Sequence, residues 1–575
     1  MILCYTIIGD SMAKEKRVVK KKVKLLFIIV FMIILIIGLL LFIPKLVKPK
    51  DRLNTYYISS NENEVLLYDQ NYKETDKIIR GSKVDVYSSE QENNNIFYKK
   101  IKLNNKIYLI NKENITDKEN EIIKEKKLYV RTPVTVYKDS SSSKILSYIK
   151  KGEEIEIIGF DKVLSDGSIN RYKIKYNNIE GYVYGKYLVN TKELSDKLYD
   201  EGGILEYMSG MGDTLGGGNA TFLDYYPYQK PKFKDNVMPD EVRALYINSA
   251  AVKDIDAYID FALNNNINAF VIDIKDNTSP AYNSPVMKEY SITNYNHALN
   301  DYEAYKSYVK KAKEAGIYVI GRITTFKDSY YIEDNKEDAI KNSNGEPFSH
   351  NGSYWPSAFN RNVWQFNVEL AKEAVTEIGF NEIQFDYVRF PDRTTKLERT
   401  GKINLNNTYD EEKASALQTF VMYACDEIHN VGAYVSIDVF GESASNYVTA
   451  YGQFWPAISN VADVISGMPY PDHFNAHEYG IKEVVWTVPY KVLNEWGKQV
   501  KSKQEVIPTP AVVRTWIQTY NTVKQPSVIY DSDKVIEQIQ ALYDNGLNGG
   551  YMTWNSSSNL TKYKEISYSF KKVYK

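Results

Sequence analysis

Three acidic residues stand where short β-rich runs of this sequence end: Asp386 in EIQFDYVRF, Asp438 in YVSIDVF, and Glu442 in the GES that follows. Hydrolysis of a glycosidic bond needs two carboxyl groups flanking it, one to protonate the leaving oxygen and one to act as nucleophile or base. Asp386 suits the nucleophile or base, held ionised by Arg389 or Arg322. Asp438 suits the general acid, its pKa raised by burial and by a neighbouring Asp386. Glu442 is the substitute acid. Period-two alternation brings further polar groups to the same face: Asp273 and Lys275 in AFVIDIK, Arg322 in YVIGRIT, and Asn248 after ALYI. Asp273 could hold a sugar hydroxyl or position Lys275. Burying so many charges without use is costly, so a substrate site is expected, with a structural ion-pair network as the competing reading. Tyr470 and His473, in MPYPDHF, are candidate substrate contacts. Trp355, Trp455, Trp516 and Trp554 either stack on pyranose rings or pack as core.

The elements that must position these residues form a regular series. Eight strand candidates run through ALYINS (244–249), AFVIDIK (269–275), YVIGRIT (318–324), EIQFDYVRF (382–390), YVSIDVF (434–440), DVISGMPY (463–470), VVRTWIQ (512–518) and GYMTWN (550–555). Amphipathic stretches such as YEAYKSYVKKAKEAG and DKVIEQIQALYDNG alternate with them. Gly316, Gly379 and Gly546 stand at expected helix C-caps. This is the α/β pattern of a (β/α)8 TIM barrel, whose active site forms at the C-terminal ends of the strands. An open doubly wound sheet is the alternative, but no GxGxxG follows the first strand.

EIQFDYVRFPD, VSIDVFGES, MPYPDHF, RTWIQTY and YMTWN, in that order, resemble a bacterial family of glycosyl hydrolase domains over about residues 240–560. The resemblance implies a TIM barrel with a site at Asp386, Arg389, Asp438, Tyr470, Arg514 and Gln518, and Trp554 joins them as a substrate contact. Two departures stand out: Thr519 occupies a position where an acid is expected, and SYWPSAF replaces an Asp-Pro around Trp355. Acids on the fourth and fifth strands, with none in VVRTWIQ, look like the amylase-type layout, by analogy alone.

The N-terminal half frames this barrel. LLFIIVFMIILIIGLLLFI, from Leu25 to Ile43, is an uncharged run of 19 residues, long enough for a hydrocarbon core of about 30 Å. Its upstream flank, AKEKRVVKKKVK, is basic, which predicts a cytoplasmic N-terminus and an outward-facing remainder. The expected organisation is a basic tail (1–24), a transmembrane anchor (25–47), β modules at 54–120 and 125–195, a Gly-rich connection (196–240) and the barrel (241–575). The second module, with KKGEEIEII and GYVYGKYL, resembles bacterial SH3-like domains, and the first does so weakly. Both spacer and glycan-binding roles remain open for them.

Net charge −1, from 72 basic against 73 acidic residues, argues against nucleic acid as a partner. The five histidines form no HxH or HExxH, and no GK[ST] follows the glycines of GMGDTLGGGNATF. No metal and no cofactor is expected. The expected partners are a polysaccharide or peptidoglycan glycan and, through one helix, the cytoplasmic membrane. A non-catalytic glycan-binding barrel and an envelope scaffold are the alternatives. Cys4 and Cys425 lie too far apart in the plan to suggest a disulfide, and Cys425 reads as core.

Overall fold

The computed structural model describes residues 19–38, 51–211 and 215–574. One compact unit holds the chain up to Glu125 together with Lys162–Asn170; the other holds Lys126–Asp161 and everything from Arg171 onward.

Residues 19–38 are helical and exposed. Lysines occupy the first turns, and the apolar part from Leu25 to Gly38 is about 21 Å long at 1.5 Å per residue. Residues 39–47, the rest of the expected anchor, lie outside the described residues. Among the described residues no helix is long and apolar enough to cross a membrane. The first unit also carries a seven-stranded antiparallel sheet between Leu53 and Thr116. Alternating residues of its strands close a small core of Ile58, Val65, Leu67, Val84, Val86 and Ile101. A buried pair, Arg80 to Glu125 at 2.6 Å, lies beside it.

In the second unit, seven antiparallel strands between Lys127 and Val189 dock directly on the barrel. Arg171 reaches Glu427 at 2.7 Å, both buried, and the Tyr187 hydroxyl donates to Asp426 at 2.9 Å. Residues 204–211 and 215–225 pack likewise: Ile204, Met208, Leu223 and Tyr225 share a core with Ala414, Phe454 and Ala457.

The barrel has eight parallel runs: β1 (Val242–Ile247), β2 (Ala269–Asp276), β3 (Tyr318–Thr324), β4 (Glu382–Asp386), β5 (Tyr434–Phe440), β6 (Val464–Met468), β7 (Val512–Val513 and Thr515–Gln518) and β8 (Gly550–Trp554). All eight strand candidates are present, shorter at their C-terminal ends for β1, β4, β6 and β8. The first half of β7 pairs with β6 and the second with β8, so the ring is closed but for the interruption at Arg514. That excludes the open doubly wound sheet. Helices follow the strands, including α1 (Ile255–Leu263), α2 (Tyr302–Glu314), α3 (Arg361–Glu373), α4 (Lys413–His429), α5 (Trp455–Val461), α6 (Pro489–Gln504) and α7 (Ser532–Asp544). Gly379 shows why those glycine positions were legible: it ends its helix at φ 100°, a left-handed conformation that a side chain would strain.

Inside the ring, Val242, Ala244, Tyr246, Ala269, Val271, Tyr318, Ile320, Trp516 and Met552 form the core. On β4 the inward residues Glu382, Gln384 and Asp386 mark floor, middle and mouth, spanning about 13 Å at 3.3 Å per residue.

Candidate active site

The mouth of the barrel is organised around one guanidinium. Arg322, on β3, lies between β2 and β4 and is fully buried. Its Nη1 donates to Asp273 Oδ1 at 2.8 Å, while Nε and Nη2 donate to Asp386 Oδ2 at 3.1 and 2.6 Å. Tyr246 donates its hydroxyl to the other oxygen of Asp273 at 2.6 Å. The remaining oxygen of Asp386 accepts the backbone N–H of Tyr387 at 2.6 Å. Tyr387 itself sits at φ 53°, an uncommon conformation for a bulky residue, directly after the carboxylate. Such strain persists only where neighbours over-determine it, and it clusters at functional positions.

Asp438 comes from β5, whose register sets it beside Asp386 on β4. It is 0% exposed. One oxygen accepts the indole N–H of Trp516 at 2.8 Å; the other, Oδ2, has no hydrogen-bond partner among the described residues. Burial pushes its pKa well above the usual carboxylate range, and the charge of Asp386 adds to that, against the opposing pull of Trp516 and Arg322. Asp438 is therefore the carboxyl group that burial biases toward its protonated form, beside an arginine-paired carboxylate. Burial likewise raises Asp273 to about 6, with Arg322 opposing and Asp276 reinforcing the rise. Asp276 goes the other way: burial raises it, but Arg322 and hydrogen bonds from Thr324 and Asn277 more than offset that.

A wall of aromatic rings closes one side. Trp554, part exposed, lies with its ring 4.6 Å from Tyr246 and 5.6 Å from Trp516, and Arg322 sits 5.5 Å from its centroid. The ring of Tyr470 stacks toward Trp554 at 6.4 Å, and His473 meets Tyr470 edge-on at 5.1 Å.

Other expected site residues stand elsewhere. Alternation placed Lys275 on the face of Asp273, but the β2–β3 register slips between them: Asp273 opposes Arg322, and Lys275 opposes the next residue, Ile323. This bulge turns Lys275 out of the site, to pair with Asp328 at 2.6 Å and pack near Phe366 of α3, and it brings in Asp276 instead. Arg514 lies at the floor, paired with Glu382 at 2.6 Å. Arg389 does not hold Asp386; its guanidinium lies among Trp355, Tyr387 and Phe440 and donates to Asp392 at 3.2 Å. Asn248 folds back to accept the backbone N–H groups of Ala250 and Ala251. Gln518 ties two loops together, accepting from the backbone of Asp472 and donating to Tyr520. Glu442 is exposed and accepts from Tyr447 and Tyr451 at 3.0 and 2.9 Å. Thr519 is buried, bonded to the Trp554 carbonyl.

Two contributors escaped the sequence reading. Tyr246 shares the inward face of β1 with Ala244, so alternation could have found it. Asp276 required knowing the bulge.

A protein-family profile described as "Putative glycosyl hydrolase domain" matches residues 244–560. No curated protein matches the chain. Among solved structures, a hypothetical protein from Ruminiclostridium thermocellum ATCC 27405 is 30% identical, over 34% of this chain and 97% of its own, with a TM-score of 0.28. The PgaB (BpsB) glycoside hydrolase domain from Bordetella bronchiseptica is 10% identical over 58% of this chain and 98% of its own, at 0.42. The Flavobacterium johnsoniae chitobiase is 10% identical, over 57% of this chain and 47% of its own, at 0.38. The architecture rests on the strand pairing described above, not on these likenesses.

Proposed function

This chain belongs to that glycosyl hydrolase domain family, and from this premise we propose that it is a glycoside hydrolase acting on a cell-envelope or extracellular polysaccharide. The observation that carries the reading is the placement of a fully buried Asp438, its pKa pushed up, next to an arginine-bound Asp386 on adjacent strands at the barrel mouth. Asp386, its charge held by Arg322, acts as nucleophile or general base. Asp438 supplies the proton to the departing sugar oxygen, the acceptor that its Oδ2 lacks among the described residues. Trp516 fixes the orientation of that carboxyl. Trp554, part exposed, offers a ring face to the sugar, with the buried Tyr470 packed against it.

A second assignment of the acid has its own support. Glu442 is exposed whereas Asp438 is fully buried, so Glu442 is the substitute if the leaving oxygen cannot reach Asp438. The basic flank and apolar run at Leu25–Ile43 support an outward-facing, membrane-anchored placement, testable by protease access in intact cells. The function itself is tested by incubating the chain with purified envelope polysaccharides and measuring new reducing ends. Release by the parent and not by Asp386→Asn is expected. Equal release by both removes Asp386 from the chemistry, and glycan binding without release by either points to a non-catalytic barrel.

A further inference from the structure

The catalytic carboxylates are crowded and acidic, yet the wall immediately beyond Asp386 is the opposite. Tyr387, the next residue, carries the Lys327 ammonium 4.8 Å from its ring centroid and the Arg389 guanidinium 4.9 Å away. Lys327 makes no hydrogen bond or ion pair among the described residues. Arg389 is buried, but its hydrogen bonds, to the Phe390 carbonyl and Asp392, all leave from Nη1. The aromatic faces of Trp355, Tyr387 and Phe440 hold the guanidinium in a fixed plane. Arg393, 91% exposed and held at φ 59°, lies 3.8 Å from the same Asp392. His350 completes the patch at 4.0 Å from Asp392. Burial lowers its pKa; Asp392 opposes this, and Arg389, Arg393 and Lys327 add to it, so the imidazole is neutral near pH 7.

The wall thus carries three cations, Lys327, Arg389 and the exposed Arg393; the two arginines meet one carboxylate, Asp392, and the charge of Lys327 is felt at Asp276. Stability alone does not call for this excess. Like charges gathered on aromatic faces repel one another, and an added anion would relieve them. A planar guanidinium with an unused edge and an ammonium over the same tyrosine ring offer the donors that carboxylate or phosphate oxygens accept from.

We propose that this wall is an anion-selecting subsite, in which Lys327, Arg389 and Arg393 receive an acidic substituent on the sugar next to the one cleaved. The inference rests on the glycoside hydrolase reading and narrows it to acidic glycans, carrying either uronate carboxylates or phosphate groups.

The experiment uses matched polymers: a polyuronate and its carboxyl-reduced form, and a phosphate-substituted glycan and its dephosphorylated form. Binding is measured with the full Asp386→Asn chain and turnover with the parent. A charged member should be preferred by about tenfold or more, as loss of one charge-assisted hydrogen bond would give. The pair that shows the preference identifies the acidic group. In a Lys327→Ala/Arg393→Ala chain, built at part-exposed and exposed positions, the preference should fall toward unity, and salt at about 0.5 M should do the same to the parent. Equal use of charged and neutral members, or a preference untouched by the double substitution, overturns the subsite and leaves the hydrolase reading standing. No binding and no turnover on any polymer overturns both.

Discussion

Two buried arginine–carboxylate clusters stand at the two ends of β4, and they differ in balance. At the floor, Arg514 meets Glu382 at 2.6 Å, and the other oxygen of Glu382 accepts from Tyr318 at 3.1 Å. One positive charge meets one negative charge, under a middle level of Gln384, Ser466 and Met552. At the mouth, Arg322 alone faces Asp273, Asp276 and Asp386, with Asp438 alongside. The excess pushes the pKa values of Asp438 and Asp273 up, and among the described residues one Asp438 oxygen has no hydrogen-bond partner. A buried arginine pair is thus no signature of a site by itself; the surplus of acid over base is.

The comparison predicts opposite responses to substitution. Asp386→Asn should lower turnover by about a thousandfold or more while leaving the unfolding midpoint nearly unchanged, measured by reducing-end release and thermal melting. Arg514→Met should do the reverse. Stranding Glu382 in the floor should cost about 3–5 kcal/mol in denaturant titrations, and Arg514→Met with Glu382→Leu should recover most of it. A loss of turnover per folded molecule in the double variant would make the floor part of the site.

The third prediction concerns pH. Asp273, near 6 when folded, lies above the ordinary aspartate value. Between about pH 4 and 6 the unfolded chain gives up a proton that the folded chain keeps, so stability falls as pH rises through that window. The fall is at most about 3 kcal/mol from this group. Asp273→Asn should remove that part of the pH slope, and an unchanged slope would place the titration elsewhere. The smallest effect is expected of Trp516→Phe. Loss of the indole donor should lower kcat/KM by about tenfold or less and move its alkaline limb to higher pH, because that donor pulls the pKa of Asp438 down.

Much of this arrangement was legible in the sequence because strand alternation is a local signal. YVSIDVF and EIQFDYVRF place Asp438 and Asp386 on one inward face, and the structure does the same. Lys275 went wrong for a local reason that alternation does not carry: one extra residue between it and Asp273 reverses the face. Arg514 shares the inward face of Trp516, yet its level was hidden, because its partner Glu382 is set by ring closure and not by neighbours in sequence. The sequence offers Arg389 or Arg322 as the partner of Asp386; Arg322 takes that place, and the left-handed turn at Tyr387 sends Arg389 to the outer wall. Lys327 and His350 lie in connections with no periodic signal. The docking of residues 127–189 on α4 depends on Arg171 finding Glu427, a contact across the chain that spacing cannot forecast.

The most direct test of the central claim, a division of labour between Asp386 and Asp438, compares a natural polysaccharide with dinitrophenyl glycosides of the same sugar. A dinitrophenolate leaves without being protonated, so the acid becomes dispensable there and the nucleophile or base does not. Asp438→Asn should lose turnover on the polysaccharide and retain it on the aryl glycoside, while Asp386→Asn loses both. Equal loss on both substrates by Asp438→Asn, or retention by Asp386→Asn, would contradict the assignment.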